Sequence, residues 1–199
     1  FGQNLVGWVQ MKVQGEAGTK VQLRFAEMLD AQGHLYRESL RSAEQTDTYI
    51  VRGQGVETFT PHFTFHGFRY VEITGYPGEF SPAAMTACVI GSDTPSVGTF
   101  TCSHTLVNQL HQNVIWSQRA NFLSVPTDCP QRDERLGWLG DAQIFVRAAT
   151  YNGDMAAFFT SWLEDIADAQ FPSGAFSDVA PRVVVEAEGA PAWGDAGII

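Results

Sequence analysis

Residues 21–27 read Val-Gln-Leu-Arg-Phe-Ala-Glu, and apolar side chains alternate with polar ones along this stretch. A period of two residues is typical of a β-strand that turns one face to a core and the other to solvent. Similar patterns recur at residues 48–51, 57–60, 63–65 and 68–73. Glycines and prolines that favour turns lie between them. Short strands at this spacing predict an antiparallel β-sandwich in the first half of the chain.

The period changes near residues 91–95, Gly-Ser-Asp-Thr-Pro, and becomes helical beyond them. Ser103 is predicted to be the N-cap of a first helix. The apolar face of that helix is predicted to carry Val107, Leu110 and Val114. Further helices are predicted from about Asp141 and from Asp154, the second of which is a good N-cap residue. We therefore expect a β-sandwich followed by the opening helices of an α-helical domain.

The composition excludes several classes of partner. The 199-residue chain is 44% hydrophobic and 12% aromatic, enough to bury a core. It has 22 Asp and Glu residues against 12 Lys and Arg residues, for a net charge of −10. Such a surface repels phosphate groups, so we expect neither nucleic acid nor an anionic membrane as a partner. A neutral ligand suffers no such penalty.

The cysteines give no sign of a disulfide scaffold or of a metal site. Cys88, Cys102 and Cys129 are too few and too scattered for either. No Asp-x-Asp-x-Asp loop indicates calcium, so we expect no cofactor. The chain begins without Met and closes on Gly-Ile-Ile inside an apolar stretch, and we expect both ends to be cuts through a longer protein. Cytoplasmic and secreted locations both stay open.

The stretch richest in reactive side chains is residues 125–141, Val-Pro-Thr-Asp-Cys-Pro-Gln-Arg-Asp-Glu-Arg-Leu-Gly-Trp-Leu-Gly-Asp. Its prolines and glycines hold it partly out of regular structure, and loops on a rigid frame are where binding and catalysis concentrate. Its carboxylates are Asp128, Asp133, Glu134 and Asp141. If the chain is helical from Glu134 onward, Trp138 and Asp141 fall at i+4 and i+7 and share its face.

Carboxylates beside an indole are suited to sugars. Carboxylates accept hydrogen bonds from neighbouring hydroxyls, and aromatic faces pack on the C–H surfaces of sugar rings. Hydrolysis of a glycosidic bond needs a protonated carboxyl at the leaving oxygen and a second carboxylate on the other side of the bond. The competing interpretation is a solvated charged strip of little energetic weight. The Pro, Gly and Trp residues between the charges disfavour that interpretation.

Residues 128–142, Asp-Cys-Pro-Gln-Arg-Asp-Glu-Arg-Leu-Gly-Trp-Leu-Gly-Asp-Ala, resemble the signature of bacterial α-L-rhamnosidases of glycoside hydrolase family 78. Three further stretches resemble the same family in the same order, at residues 24–29, 65–71 and 189–196. The resemblance implies inverting hydrolysis of terminal non-reducing α-L-rhamnose. It also implies an α+β multidomain fragment, with a β-sandwich domain over residues 1–92. Residues 93–199 would then form the first helices of an (α/α)6 toroidal barrel, the six-hairpin glycosidase fold.

The resemblance implies a role for each matching residue. Glu134 resembles the general acid that protonates the departing glycosidic oxygen. Substrate-binding roles fall on Asp128, Arg132, Trp138, Asp141 and Trp193. Asp128 and Asp141 resemble the carboxylates that hold rhamnose hydroxyls, and Arg132 adds a cationic donor. The two tryptophans resemble aromatic residues that line the rhamnose pocket.

The general base of the family is a further glutamate, which the resemblance puts outside this chain. Glu186 and Glu188 are the available substitutes, but both lie in a loop that matches no such position, and we reject them. The expected partners are rhamnose-containing glycosides, such as plant glycosides or polysaccharides. Self-association of the chain is also expected. Whether the isolated chain is active stays open.

Two other functions are compatible with these residues. One is a non-catalytic carbohydrate-binding fragment or degenerate family member, and the other is a different glycosidase or a lyase on the same barrel. Among the remaining candidates, His62 and His66 are predicted to be structural rather than a metal pair. Cys129 is predicted to pack in a core, and Asp133 to form solvated salt bridges.

Overall fold

A computed structural model describes residues 1–185 and 187–198 of the chain. The described chain divides into two compact units, and each is described by itself. The first unit contains Phe1–Ile90 together with the short segment Pro130–Asp133. The second contains Gly91–Cys129 and the chain from Glu134 onward. Within the described residues, no helix has the length and apolar character needed to span a membrane.

The first unit is built from antiparallel strands. They are β1 (Leu5–Val13), β2 (Lys20–Ala26), β3 (Thr46–Ile50), β4 (Glu57–Phe59), β5 (His66–Phe68), β6 (Tyr70–Thr74) and β7 (Met85–Val89). In one sheet, β1 pairs with β4, β5 and β7. In the other, β2 lies between β3 and β6. The antiparallel sheet domain predicted for the first half is therefore confirmed.

The core of this unit comes from the alternating residues that the sequence singles out. Val21, Leu23 and Phe25 on β2 are fully buried. The Phe25 ring stacks on His66 of the other sheet with ring centroids 4.1 Å apart, and it meets Phe68 edge to face at 5.0 Å. Burying a side chain of this size stabilises a fold by about 1.5–3 kcal/mol. The two sheets thus pack on each other through one face of β2.

Two details of the strand prediction are wrong. Residues 63–65 are not a strand, because Phe63 has a φ of 58° and is fully exposed. The continuous pattern at residues 68–73 is divided between two strands that belong to different sheets. The division falls at Arg69, whose backbone N–H donates to Ala26 O at 3.0 Å. Alternation indicates which side chains are buried but not which sheet each residue joins.

Glu57 is a buried carboxylate held by several donors. Its Oε2 accepts a hydrogen bond from the Tyr49 hydroxyl at 2.5 Å. Its Oε1 accepts from the backbone N–H groups of Arg52 at 3.0 Å and Gly53 at 2.8 Å. The Tyr49 hydroxyl above all, with the backbone donors, lowers the pKa of Glu57 to about 2. The ionised form is therefore the one that fits the fold.

Replacing Glu57 with glutamine is expected to lower the melting temperature at neutral pH. Because the pKa of Glu57 falls from 4.5 to about 2 on folding, its contribution is complete above pH 4.5. That contribution is lost as the pH falls toward about 2, where the wild-type carboxyl is also neutral. The difference in melting temperature between the two proteins should therefore shrink over this interval. Thermal denaturation across the pH range, with the exposed Glu79→Gln as control, measures it; a difference that does not change with pH contradicts the assignment.

The second unit is helical. Its elements are α1 (Thr105–Asn121), the short strands β8 (Phe122–Leu123) and β9 (Val125–Pro126), α2 (Leu139–Asn152), α3 (Ala156–Asp168) and α4 (Pro191–Gly194). Trp162 and Ile166 of α3 pack with Leu139 at the start of α2. The Phe122 and Phe158 rings stack at 4.8 Å. The predicted sequence of a sheet domain followed by helices is confirmed.

The ends and faces of these helices differ in part from the prediction. The first helix begins at Thr105, with His104 rather than Ser103 at the N-cap position. Val107 and Leu110 on its predicted apolar face are 41% and 61% exposed. The buried side chains of α1 are instead near its C-terminal end. The third helix begins at Ala156, with Met155 rather than the predicted Asp154 at the N-cap position. Asp154 lies one residue earlier, and its Oδ1 accepts from the Ala156 backbone N–H at 3.1 Å.

Candidate active site

The residues from Asp128 to Trp138 are held by the backbone of a loop, not by a helix. The Asp128 N–H donates to Leu136 O at 3.1 Å, and the Leu136 N–H donates to Asp128 Oδ1 at 3.0 Å. Arg135 has a φ of 58°, in the left-handed region that interrupts a right-handed helix. The helix α2 begins only at Leu139. The predicted helical face through Glu134, Trp138 and Asp141 is therefore wrong.

Glu134 and Trp138 are nevertheless in contact. The indole Nε1–H of Trp138 donates to Glu134 Oε1 at 3.1 Å. Glu134 is half-buried, and its carboxyl lies with the Asp128 carboxyl and the Cys129 thiol in a cluster whose polar atoms are within 4.8 Å of one another. The Trp138 hydrogen bond orients the Glu134 carboxyl, and the neighbouring Asp128 places a second carboxyl beside it. Groups of this kind are common without an ion, so we assign the cluster no metal.

The environment of the loop does not match that of a solvated charged strip. Glu134 and Arg135 are both half-buried. Burial lowers the pKa of the Arg135 guanidinium, and interaction with the nearby Cys129 thiol acts in the opposite direction. Cys129 is buried at 5% exposure, as its predicted packing role requires. Glu134 and Arg135 therefore lie partly inside the second unit rather than on an open surface, whereas Asp133 is exposed.

A cavity of about 260 Å³ brings two of the predicted binding carboxylates together. Asp128 lines it from the loop, and Asp141 lines it from the first turn of α2. Thr127, Phe122 and Phe145 complete part of its wall. The combination of carboxylates with apolar and aromatic walls is what a hydroxylated ligand with a C–H-rich face requires. Glu134 adjoins this region through its neighbour Asp128.

Two further residues of this cavity, Gln118 and Asn121, are not among the predicted site residues. Both lie near the C-terminal end of α1 and line the cavity with Asp128 and Asp141. The Gln118 Oε1 accepts from Asn152 Nδ2 at 2.7 Å. The Asn121 carbonyl accepts from Thr127 N–H at 2.9 Å and so holds the start of the loop. Their spacing of three residues on one helix, which gives them a common face, is the signal that identifies them.

Trp193 and Arg132 lie in different surroundings. Trp193 of α4 is 37% exposed, and its indole packs over Gly140, where an added Cβ would lie 2.6 Å from Nε1. This contact places Trp193 beside the first turn of α2. Gly140 directly precedes Asp141 in the sequence. Arg132 is half-buried and belongs to the segment Pro130–Asp133, which groups with the first unit.

The other candidates have structural surroundings or lie elsewhere. His66 is buried, with Nδ1 2.6 Å from Gln45 Oε1 and Nε2 2.9 Å from Asp47 Oδ1. His62 is exposed, so the two histidines have different surroundings. Glu186 lies outside the described residues. Glu188 is exposed and accepts a hydrogen bond from Ser173 Oγ at 2.5 Å. Its rejection as the general base stays a prediction.

Two family models of known proteins match this chain, and the boundary between their matches lies close to the boundary between the two units. A family model described as the bacterial alpha-L-rhamnosidase concanavalin-like domain matches residues 1–91. A second, the bacterial alpha-L-rhamnosidase 6 hairpin glycosidase domain, matches residues 95–199. An alpha-L-rhamnosidase of Streptomyces avermitilis is 52% identical over 100% of this chain and 19% of its own length. One of Formosa agariphila is 42% identical over 97% of this chain and 21% of its own length.

Solved structures give the same result. The α-L-rhamnosidase from Dictyoglumus thermophilum matches with a TM-score of 0.97 and 46% identity, over 100% of this chain and 22% of that one. The Streptomyces avermitilis α-L-rhamnosidase complexed with L-rhamnose matches with a TM-score of 0.96 and 52% identity, over 99% of this chain and 19% of that one. The chain thus spans about a fifth of the length of the relatives that it matches.

Proposed function

The chain belongs to the bacterial α-L-rhamnosidase family, and we propose on this premise that it supplies one half of the catalytic pair of an inverting α-L-rhamnosidase. The reaction is hydrolysis of terminal non-reducing α-L-rhamnose from rhamnosides. The observation that carries the proposal is the oriented carboxyl of Glu134, which accepts from the Trp138 indole at 3.1 Å and lies beside Asp128. We assign Glu134 as the general acid.

The proposed reaction is a single displacement. Glu134 donates its proton to the glycosidic oxygen as the bond from that oxygen to the anomeric carbon breaks. A general base outside this chain removes a proton from a water molecule, whose oxygen forms the new bond to the anomeric carbon from the opposite face. Inverting enzymes separate the two carboxyl groups by roughly 6.5–9.5 Å to admit this water. The configuration at the anomeric carbon is inverted, and the aglycone leaves as an alcohol.

The remaining site residues are proposed to bind the sugar. Asp128 and Asp141, which line one cavity, suit hydrogen bonds to the rhamnose hydroxyls. Trp138 and Trp193 offer indole faces for the ring C–H groups and the methyl group. Arg132 is proposed as a cationic donor. Because Asp141 is exposed and Trp193 is 37% exposed, both side chains are accessible to a ligand.

The proposal extends to the organisation of the protein. We propose a sandwich domain over residues 1–92 and the start of an (α/α)6 barrel over residues 93–199. The exposed apolar residues Leu110 of α1 and Ile144 of α2, 61% and 82% exposed, are compatible with helices that pack against further structure. Self-association through such residues stays a prediction.

The stereochemistry of the first product tests the proposed reaction. We expect the full-length gene product to release β-L-rhamnose first from an aryl α-L-rhamnoside, because single displacement inverts the anomeric carbon. Proton NMR of the anomeric signals, recorded before mutarotation equilibrates them, measures this directly. Initial release of α-L-rhamnose would instead indicate a double displacement with a covalent intermediate.

The same preparation separates the proposal from its alternatives. Binding of L-rhamnose without turnover by the full-length gene product indicates a carbohydrate-binding member of the family that has lost activity. Release of a different sugar from a panel of aryl glycosides indicates another glycosidase on this frame. Either result would overturn the proposed activity without changing the family.

A further inference from the structure

Asp133, the residue before Glu134, has hydrogen-bond donors far away in the sequence. Its Oδ2 accepts from the backbone N–H of Ser42 at 3.3 Å and from the Ser42 hydroxyl. The Ser42 hydroxyl is the main cause that lowers the pKa of Asp133 below its usual range. The sequence predicts solvated salt bridges for Asp133 and not these hydrogen bonds to Ser42. Both residues belong to the first unit.

A second contact holds the same segment at its other end. An added Cβ at Gly67 would lie 3.0 Å from Gln131 Cβ and 3.1 Å from the Pro130 carbonyl carbon, so the backbone of β5 packs directly against residues 130–131. The Gly67 carbonyl accepts from Gln45 Nε2 at 3.2 Å, and Gln45 Oε1 is 2.6 Å from His66 Nδ1. The buried polar residues behind Gly67 make this a rigid surface.

Strained backbone accompanies these contacts. Arg41, directly before Ser42, has a φ of 55°, and Gln45 has a φ of 46°. Arg135, two residues after Asp133, has a φ of 58°. Left-handed conformations at residues other than glycine persist only where their surroundings require them, and they cluster at functional sites. The strain here flanks both partners of the Ser42–Asp133 hydrogen bonds.

We propose that Ser42 and Asp133 are positioning residues for the general acid. They fix the backbone that leads into Glu134 and so set where its carboxyl lies against the Trp138 indole. Geometry of this kind governs catalysis, because a displacement of about 1 Å in a reacting group costs on the order of 10²-fold in rate. The inference rests on the proposed function, and it gives Ser42 and Asp133 a part in proton donation that requires no contact with the sugar.

The test separates loss of proton donation from general damage by varying the leaving group. An alkyl α-L-rhamnoside has a basic leaving oxygen that needs protonation, whereas a dinitrophenyl rhamnoside does not. For Ser42→Ala and Asp133→Ala in the full-length gene product, we expect kcat on the alkyl substrate to fall by about 10–100-fold. On the dinitrophenyl substrate we expect a loss of less than about threefold, because the remaining steps are intact.

Conservative variants and a double variant test the contact itself. Ser42→Thr retains the hydroxyl and Asp133→Asn retains an acceptor oxygen, so each should keep most of the alkyl activity. The double variant Ser42→Ala/Asp133→Ala should lose no more than either single one, because both remove the same interaction. Glu79→Ala removes an exposed carboxylate elsewhere in the first unit and serves as the matched control. Equal melting temperatures exclude unfolding as the cause of lost rate.

The outcomes distinguish this inference from the proposed function beneath it. Glu134→Gln is measured on the same two substrates as the reference for lost acid catalysis. If Glu134→Gln impairs both substrates equally, the assignment of Glu134 as general acid fails. If Glu134→Gln shows the leaving-group dependence but Ser42→Ala and Asp133→Ala impair both substrates equally or neither, the positioning role alone is overturned.

Discussion

Replacing Glu134 with glutamine is expected to lower kcat on an alkyl α-L-rhamnoside by about 10²–10⁴-fold, the usual contribution of a positioned general acid. Glutamine has the shape of the glutamate and retains an oxygen that accepts from the Trp138 indole, which donates at 3.1 Å in the wild type. The amide has no proton to transfer at neutral pH. The variant therefore removes one chemical step while leaving the surrounding loop unchanged.

Comparing two leaving groups shows whether proton donation to the leaving oxygen is the step that the variant loses. With a dinitrophenyl aglycone, the departing oxygen is stable as an anion and needs little protonation, so the loss in kcat should be much smaller. Steady-state measurements give the ratio of the wild-type kcat to the variant kcat on each of the two substrates. Glu188→Gln is the matched control, because Glu188 is an exposed glutamate of the same unit that accepts from Ser173. Hydrolysis of the alkyl rhamnoside at near the wild-type rate would remove Glu134 from the role.

The sheet domain is the part of the fold that local pattern predicts best. The alternation at residues 21–27 identifies β2 and the face of β2 that is buried, and Val21, Leu23 and Phe25 are fully inside. That alternation reflects a local constraint, since successive side chains of a strand point to opposite faces. It does not determine the partner of each strand. Residues 68–73 show this limit, because one pattern there serves two sheets.

For the candidate site, spacing predicts which residues can meet but not the backbone that brings them together. Glu134 and Trp138 are four residues apart and meet, as the prediction expects, yet they do so across a loop in which Arg135 has a φ of 58°. A helix and a loop can bring the same pair together, and the residue types do not distinguish them. Only the capping residues and the backbone conformation do.

The supporting contacts of the site are beyond local sequence reasoning altogether. Ser42 and Asp133 are 91 positions apart and belong to no common motif. Gln118 and Asn121 line the same cavity as Asp128 from the C-terminal end of α1, where the helix prediction names none of its apolar residues. Long-range contacts of this kind depend on the packing of the whole chain. We propose that such contacts are one way in which residues far from Glu134 in the sequence affect catalysis.

Gly137 joins the loop of Glu134 to the core of the helical unit. Its carbonyl accepts from the Ala180 N–H at 2.9 Å, and the Ala180 carbonyl accepts from the Trp162 indole at 2.9 Å. A Cβ added to Gly137 would lie 2.2 Å from the Ala180 oxygen and 3.1 Å from Trp162 Nε1. The first of these distances is far inside van der Waals contact, and both neighbours are buried.

Gly137→Ala is therefore expected to be among the most destabilising small substitutions in the chain. Overpacking costs about 1–3 kcal/mol, and an unpaired buried indole N–H and carbonyl add about 1–3 kcal/mol more. That sum is a large part of the roughly 5–15 kcal/mol that stabilises a domain. The melting temperature and the near-ultraviolet circular dichroism of Trp162 should both report the loss.

Gly98→Ala is the control, because its added Cβ would meet only the Tyr151 carbonyl at an ordinary 3.7 Å in the same unit. If the melting temperature of Gly137→Ala equals that of the wild type, residues 178–180 move aside without cost. The hydrogen bond from Ala180 to Gly137 would then not stabilise the loop. A lowered melting temperature together with a larger loss of kcat on the alkyl than on the dinitrophenyl rhamnoside would show the opposite. The loop that carries the acid would then be held from the core of its own unit as well as through Asp133.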